Sequence, residues 1–282
     1  MLTIYTYSVF AAVAGGGKRL ALVEGVSDLE QMQQIASRTG VPLTGFILNA
    51  GARRAEVRFF SPDKEKGASD SGALVVGEHL RLQGAIQERL WVQMGKEGLE
   101  VSYQDGKWWS HQEDTWEHKR ELDVPALAAA LDLDWQDINW DKGISVAGNS
   151  KLNIIVPVAF PDQVKPDFEA ISEINRRTGT NGVVVFSGPG RTITFDPSRR
   201  GNTTHDIELR FFAPAKGIPE DNAGSYTISS LCGYLAWFWQ GEQQYEVLQG
   251  AAMGRPSRLY MRYRSDGQQA SYIQVGGKVE PL

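Results

Sequence analysis

Residues 53–80 read RRAEVRFFSPDKEKGASDSGALVVGEHL, and residues 205–235 read HDIELRFFAPAKGIPEDNAGSYTISSLCGYL. When Phe60 is set against Phe212, an offset of 152 residues, a glutamate, a proline and a glycine around it also match. Each copy has polar and apolar residues in alternation, then turn residues around a proline and a glycine, then a mostly apolar run. This pattern predicts a strand, two turns and a helix, formed twice.

A shorter pair of matches lies upstream, where IASRTG ends at Gly40 and INRRTG ends at Gly179. Their offset is 139 residues, so we expect a 13-residue insertion in the second copy, within residues 187–204, which are rich in Pro, Gly and Arg. Two copies of about 130 residues are too few and too long for a solenoid or a propeller. The chain is therefore predicted to form two similar, pseudo-two-fold halves, and the cleft between such halves is the default place for a site.

The hydrophobic pattern predicts the same order of elements in each half. Helices are expected at Asp28–Arg38, Ala73–Leu82, Pro125–Leu131, Asp167–Arg177 and Ser225–Trp239, and strands at Thr3–Phe10, Leu20–Val23, Gly45–Leu48, Glu56–Phe60, Leu152–Val158, Gly182–Phe186 and Ile207–Phe212. Ser27 is the expected N-cap of the first helix. Two of the helices, residues 73–82 and 225–239, are apolar or small nearly all round, which is typical of buried helices, and Trp237 and Trp239 are expected in the core.

The fold class predicted from these elements is α+β, in which each half is a curved, mostly antiparallel sheet or barrel wrapped around a central helix. A polar run and a short helix separate the halves. We place the boundary near Asp141, which gives an N-terminal half of residues 1–141 and a C-terminal half of residues 142–282.

Composition is that of a soluble globular protein, with 282 residues, 41% of them hydrophobic, and a net charge of −5. No basic run is interleaved with aromatic residues, so nucleic acid is not an expected partner. No stretch of about twenty apolar residues occurs, so a membrane is not expected either. The single cysteine, Cys232, has apolar neighbours and is expected to be a buried structural thiol, which suits a reducing cytoplasm.

The two buried helices are predicted to begin at the glycine of each copy, Gly72 and Gly224. The first backbone N–H groups of a helix have no partner within it, and the helix dipole makes that end positive. Two such ends facing a cleft would bind a small anion, most simply a carboxylate. The alternative is that both glycines only serve the turns before the helices.

Several segments also resemble one family. The second copy contains FAPAKGIPEDNAGS at residues 212–225, and YEVLQGAAMGRPSRL follows at residues 245–259, with VGGKV near the end. QMQQIASRTGVPLTGFIL and SVAGNSKLNIIVPV lie earlier in the chain. Together these segments resemble the PhzF-like phenazine-biosynthesis isomerase family over nearly the whole chain. The resemblance implies the diaminopimelate epimerase-like fold, with the active site between two similar halves, and a homodimer.

The resemblance also implies roles for residues at matching positions. Glu65 would be the general acid/base, Asp221 its partner acid, and Gly224 and Ser225 the donors of the turn that binds substrate. Such an enzyme isomerises a small carboxylated molecule by moving a proton between carbons, without a metal or an organic cofactor. A carboxyl group shielded from water can shuttle a proton in this way near neutral pH.

The first copy departs from the family where substrate would bind. The family usually has E.PFAGHPT where this chain has EKGASDSGA, so Ser71 replaces a histidine and Asp70 replaces a glycine. Asp70, Ser71 and Gly72 are then candidates for substrate binding, or capping residues of the helix that follows. Ser69 and Ala223 stand where epimerases of this fold have cysteines, so racemisation by two thiols is not expected.

Two functional hypotheses remain open at this point. The first is a cofactor-independent isomerase acting on a small carboxylated metabolite, cyclic or open-chain. The second is a homologue that has lost catalysis and acts as a small-molecule-binding or assembly protein. Each site residue also has a purely structural interpretation: Glu65 as a solvated turn residue, and Asp221 as an N-cap.

Overall fold

The structure is a computed structural model that describes residues 3–134, 138, 143–188 and 206–282. Its contacts divide the chain into two compact units. Unit 1 comprises Met1–His111 and Gly276–Leu282, and unit 2 comprises Gln112–Val275. The predicted boundary near Asp141 lies outside the described residues, as does most of the insertion expected in residues 187–204.

The elements of unit 1 come from the first 111 residues and from the C-terminal strand of the chain described here. They are β1 Ile4–Val9, β2 Lys18–Glu24, α1 Leu29–Ala36, β3 Leu43–Ala50, β4 Arg54–Phe60, β5 Glu65–Lys66, α2 Asp70–Leu82, β6 Arg89–Met94, β7 Glu97–Gln104, β8 Lys107–His111 and β18 Val279–Pro281.

The sheet of unit 1 runs in the order β18, β1, β2, β3, β4, β6, β7, β8. Only the pairs β2 with β3 and β4 with β6 are parallel. The chain connects each parallel pair through a helix, α1 for the first and α2 for the second. Residues 72–80 of α2 are all buried, so this helix forms the centre of the unit's core.

Unit 2 holds the second copy of the repeated stretch. Its elements are β9 Thr115–His118, α3 Val124–Ala130, β10 Ser145–Gly148, β11 Leu152–Pro157, α4 Phe168–Thr178, β12 Gly182–Ser187, β13 Ile207–Ala213, β14 Ile218–Asp221, α5 Ser225–Leu235, β15 Gly241–Gln249, β16 Ser257–Ser265 and β17 Gln269–Gly277, which ends in unit 1.

The sheet of unit 2 follows the same rule. Its order is β9, β10, β11, β12, β13, β15, β16, and β17 pairs with β9. The parallel pairs are β11 with β12 and β13 with β15, again connected through helices, α4 and α5. Ten of the eleven residues of α5 are buried.

The predicted fold class is confirmed: each unit is a curved, mostly antiparallel sheet with one buried helix. The prediction that Cys232 is buried is also confirmed. The helix ends needed correction. The N-cap of α1 is Asp28 rather than Ser27, because its carboxylate accepts from the backbone N–H of Gln31 at 2.8 Å. α5 ends at Leu235, and Trp237, expected in the core, is exposed.

Within the described ranges, no helix combines the length and the hydropathy that a membrane crossing requires.

Candidate active site

The start of α5 in unit 2 has the features of an anion-binding site. Gly224 is the N-cap, with an extended backbone (φ −145°, ψ 114°) and no side chain to cap the first turn. Ser225, the first helical residue, is buried, and its Oγ has no hydrogen-bond partner among the described residues. A buried hydroxyl without a partner is uncommon and calls for an explanation. Here a bound anion would satisfy it together with the N–H groups of the helix end.

Gln249, at the end of β15, fixes the loop that leads into this helix. Its side chain is fully buried. Its Nε2 donates to the carbonyl of Asp221 at 2.7 Å, and its Oε1 accepts from the N–H of Gly224 at 3.2 Å. One amide therefore holds both ends of the loop, a role that no pattern in the sequence had indicated.

Residues that follow Gln249 pack against the same loop, at Asn222. Gly250 has a φ of 78°, and a Cβ built on it would lie 2.6 Å from the Cβ of Asn222 and 2.7 Å from the carbonyl oxygen of Arg255. Asn222 Nδ2 lies 3.3 Å from Ser257 Oγ, within hydrogen-bonding reach. The QG…GRPS segment that carried much of the family resemblance is therefore the scaffold of the EDNAGS loop.

Asp221 is the last residue of β14 and lies four residues before the start of α5. It is half-buried, and its Oδ1 accepts from the N–H of Ala223 at 3.3 Å. Its Oδ2 lies 3.3 Å from the point that a Cβ on Gly224 would occupy. Since the N-cap is Gly224, the alternative that Asp221 is merely the cap of this helix is wrong. The carboxylate stands beside the helix end, where it can act on a ligand held there.

The first copy, in unit 1, is built differently at the same point. α2 begins at Asp70 with Ser69 as its N-cap, so the prediction that it begins at Gly72 is wrong. Ser69 Oγ accepts from the N–H of Gly72 at 3.1 Å, and Ser71 Oγ lies 3.3 Å from Ser69 Oγ. Asp70, Ser71 and Gly72 do lie together in the first turn. The capping residue is their neighbour Ser69, whose hydroxyl already accepts one of the first N–H groups of this helix.

Glu65 lies on the short strand β5, opposite Phe60. Its two carboxylate oxygens accept from Arg58 Nε at 2.7 Å and from Arg58 Nη2 at 2.8 Å. This bond raises the pKa of the Arg58 guanidinium. The Glu65 side chain is 41% exposed. The ion pair of Glu65 with Arg58 connects the two strands of the β4–β5 hairpin. The Glu65 carboxylate would have to break its bonds to Arg58 before it could accept a proton from a substrate.

Unit 2 contains an equivalent ion pair, which was not predicted from the sequence. Arg210 stands two residues before Phe212, as Arg58 does before Phe60, and it forms a two-bond ion pair with Glu220 at 2.9 Å for each bond. Glu65 therefore corresponds to Glu220 rather than to Asp221. The repeated arginine in VRFF and LRFF was the available signal.

The structure thus places the predicted site residues in two groups. Asp221, Gly224 and Ser225 adjoin one another in unit 2, while Glu65, Asp70, Ser71 and Gly72 belong to one hairpin and helix start of unit 1. In the part of the chain that is described, no group of three or more His, Cys, Asp or Glu side chains is arranged to hold a metal ion.

Comparison with known sequences agrees with the resemblance found in the motifs. The family described as phenazine biosynthesis-like protein matches residues 7–280. The trans-2,3-dihydro-3-hydroxyanthranilate isomerase of Pseudomonas aeruginosa is 30% identical over 95% of this chain and 92% of its own length.

Solved structures show the same fold at lower identity. A PhzF-family phenazine biosynthesis protein of Bacillus anthracis superposes with a TM-score of 0.82, at 17% identity, over 100% of this chain and 97% of that one. A predicted epimerase of Pseudomonas aeruginosa gives a TM-score of 0.71 at 20% identity, over 99% of this chain and 96% of the other.

Proposed function

Because this chain belongs to the phenazine biosynthesis-like protein family, we propose that it is an isomerase, one that moves a proton on a small carboxylated metabolite without a metal or an organic cofactor. The observation that carries the proposal is the start of α5. There the buried hydroxyl of Ser225, which has no hydrogen-bond partner among the described residues, lies at a helix end with no side-chain cap, and Asp221 Oδ2 lies 3.3 Å from the point that a Cβ on Gly224 would occupy.

In the proposed reaction the substrate carboxylate binds the first-turn N–H groups of α5 and the hydroxyl of Ser225. Asp221, as the carboxylate, removes a proton from an acidic carbon next to an unsaturated or carboxylated centre. The electron pair of the broken C–H bond shifts along the conjugated system, and Asp221 returns the same proton to another carbon. No atom is gained or lost, so the product is an isomer of the substrate.

The helix end also serves the transition state. Negative charge develops on the substrate as the proton leaves, and fixed N–H dipoles stabilise such charge without having to reorganise. A relative of this chain is named for acting on trans-2,3-dihydro-3-hydroxyanthranilate, a ring that carries a carboxylate. We therefore take cyclic amino- or hydroxy-carboxylates as the first class of substrate to test.

A second candidate function, binding without catalysis, is favoured by a different observation. Glu65 is exposed and both of its oxygens are engaged by Arg58, and the family's histidine is replaced by Ser71. If Asp221 alone does not suffice as acid/base, the site would retain ligands without transforming them.

The test combines binding and proton exchange. 3-Hydroxyanthranilate, the aromatic form of the ring named above, and a panel of small cyclic carboxylates would be titrated into the wild type, Asp221→Asn and Glu65→Gln by calorimetry. Each ligand would then be incubated with protein in D2O, and deuterium entering its carbon positions would be followed by NMR.

We expect the wild type to bind and to exchange at least one ligand, and Asp221→Asn to bind it but not exchange it. Exchange that persists in Asp221→Asn and stops in Glu65→Gln would move the acid/base role to Glu65. Binding without exchange in every protein would favour the second candidate, and an absence of carboxylate binding would overturn both.

A further inference from the structure

The ion pair between Arg210 and Glu220 is buried and extensively hydrogen-bonded. Its side chains are only 9% and 12% exposed. Arg210 Nε and Nη2 bind the two oxygens of Glu220, and Nη1 donates to the carbonyls of Pro161 at 3.1 Å and Val164 at 2.7 Å. The guanidinium carbon also lies 4.9 Å from the centre of the Phe212 ring.

The strand that contains Glu220, β14, has a short and irregular backbone ladder with β13. β14 pairs with β13 only at Phe211 with Asp221 and at Ala213 with Ile218, and the register shifts between these two pairs. An irregular ladder of this kind leaves backbone groups unpaired and bends the strand. The bond from Glu220 to Arg210 therefore supplies a connection to β13 that the backbone does not.

The corresponding ion pair in unit 1 is more exposed than the pair in unit 2. Arg58 and Glu65 have the same two-bond geometry, but their side chains are 34% and 41% exposed. Arg210, in contrast, is buried and also bonded to the turn of residues 161–164. A buried pair of this kind is weak support for stability, since desolvation offsets much of its attraction, but it can specify one conformation.

We infer that Arg210 and Glu220 are positioning residues for the proposed active site. Glu220 directly precedes Asp221, and only three residues separate Asp221 from the first residue of α5. By fixing β14 to β13 and to the 161–164 turn, the pair sets where the Asp221 carboxylate stands relative to Ser225. This inference rests on the proposed function for its catalytic meaning, but the placement of the loop can be measured without a ligand.

The experiment compares Glu220→Gln with the wild type. Glutamine keeps the shape of the side chain but turns an NH2 group toward Arg210, which breaks one of the two bonds. Glu78→Gln is the matched control, because Glu78 is a buried carboxylate with a two-bond pair to Arg81 on α2 of unit 1. Arg210→Lys is a second variant, which offers a single nitrogen to four acceptors.

Two readouts are measured at 15 °C, well below unfolding. The first is the exchange rate of the Ala223 and Gly224 amide hydrogens, both of which are hydrogen-bonded in the native loop. The second is the Kd of 3-hydroxyanthranilate by calorimetry.

In Glu220→Gln we expect at least tenfold faster exchange at these amides and at least tenfold weaker binding. Glu78→Gln is expected to lower the Tm while leaving both readouts unchanged.

A Glu220→Gln protein with a lowered Tm but native exchange rates and native Kd would reduce the pair to a structural role and overturn the inference. If the wild type binds no probe, the proposed function loses its support, while the exchange rates still decide whether the pair positions the loop. If Arg210→Lys does not fold, Glu220→Gln alone carries the test.

Discussion

At the scale of single residues, the hydroxyl of Ser225 is the strongest pointer to a ligand. A buried polar atom without a partner costs about 1–3 kcal/mol relative to one that is hydrogen-bonded. A folded protein gains nothing in stability from such an atom, so its presence at a helix end is best explained by a partner that arrives from solution. The hydroxyl is thus expected to matter for binding and not for folding.

We therefore predict that Ser225→Ala weakens carboxylate binding about tenfold, the loss of one hydrogen bond to a charged group. Its Tm should stay the same or rise slightly, because the hydroxyl that is removed is buried and has no partner among the described residues. Calorimetry and thermal unfolding would measure the two effects.

Ser230 on the same helix provides the control. Its Oγ donates to the carbonyl of Tyr226 at 3.0 Å and accepts from Asn153 Nδ2 at 2.8 Å. Ser230→Ala should therefore lose about 1–2 kcal/mol of stability with no change in binding. If both alanine variants behave alike, Ser225 has no special role.

At the scale of elements, the two copies make the same strand, hairpin and helix but finish the helix start differently. α2 is capped by Ser69, whereas α5 begins after a glycine whose N–H is held by Gln249. The glycine of the first copy lies inside its helix. The two helix starts therefore differ: a serine side chain caps α2, and no side chain caps α5.

Substitution of Gly250 tests how closely it packs against the loop before α5. We predict that Gly250→Ala destabilises the protein by about 2–4 kcal/mol, because the methyl group would overlap Asn222 and a backbone carbonyl in addition to the strain of its positive φ. Urea unfolding would give the free energy of unfolding.

Gly254 is a matched control four residues on, since its φ is also positive, 68°, but a Cβ on it would meet no atom within 4 Å. Gly254→Ala should cost only the backbone strain, about 1 kcal/mol. Equal losses in the two variants would contradict the close packing described here.

The same element shows how far the sequence could be interpreted. Alternation and turn residues predicted β4, β13 and both buried helices, because these depend on local pattern. An ungapped offset of 152 residues, however, aligned Gly72 with Gly224, while the two N-caps, Ser69 and Gly224, differ by 155. The three extra residues of the second copy lie in its hairpin, because Phe60 and Phe212 differ by 152 whereas Glu65 and Glu220 already differ by 155.

The roles of Glu65 and Gln249 could not be predicted for a related reason. The partner of Glu65 lies across a hairpin and the two partners of Gln249 lie 25 and 28 residues away, so neither is visible as a local pattern. Asp221, Gly224 and Ser225 were found because they are close in the sequence as well as in space.

At the scale of the whole molecule, one half-buried carboxyl links stability to pH. Burial raises the pKa of Glu208 on β13, and the charge of Asp162 raises it further, while Arg210 lowers it. The folded protein therefore holds this proton more tightly than the unfolded chain does. The contribution of Glu208 to the free energy of unfolding is present in full at pH values below its ordinary pKa, near 4.5. This contribution is lost as the pH rises through the raised pKa of the folded protein.

We predict that Glu208→Gln is more stable than the wild type at pH 7 and that the difference shrinks toward pH 4. Urea unfolding across this range would measure it. Glu56→Gln, at the corresponding position of the first copy and exposed, is the control. Curves for Glu208→Gln and the wild type that stay parallel from pH 4 to pH 8 would refute the assignment.

The position of β18 at the end of the described chain affects how the protein folds during its synthesis. Val279 pairs with Val9, 270 residues earlier, so one side of β1 has no neighbour until nearly the whole described chain has been translated. At 5–20 residues per second, that interval is about 15–50 s. Unit 1 is therefore synthesised first but keeps an open strand edge, of the kind that chaperones shield from aggregation, until β18 has been made.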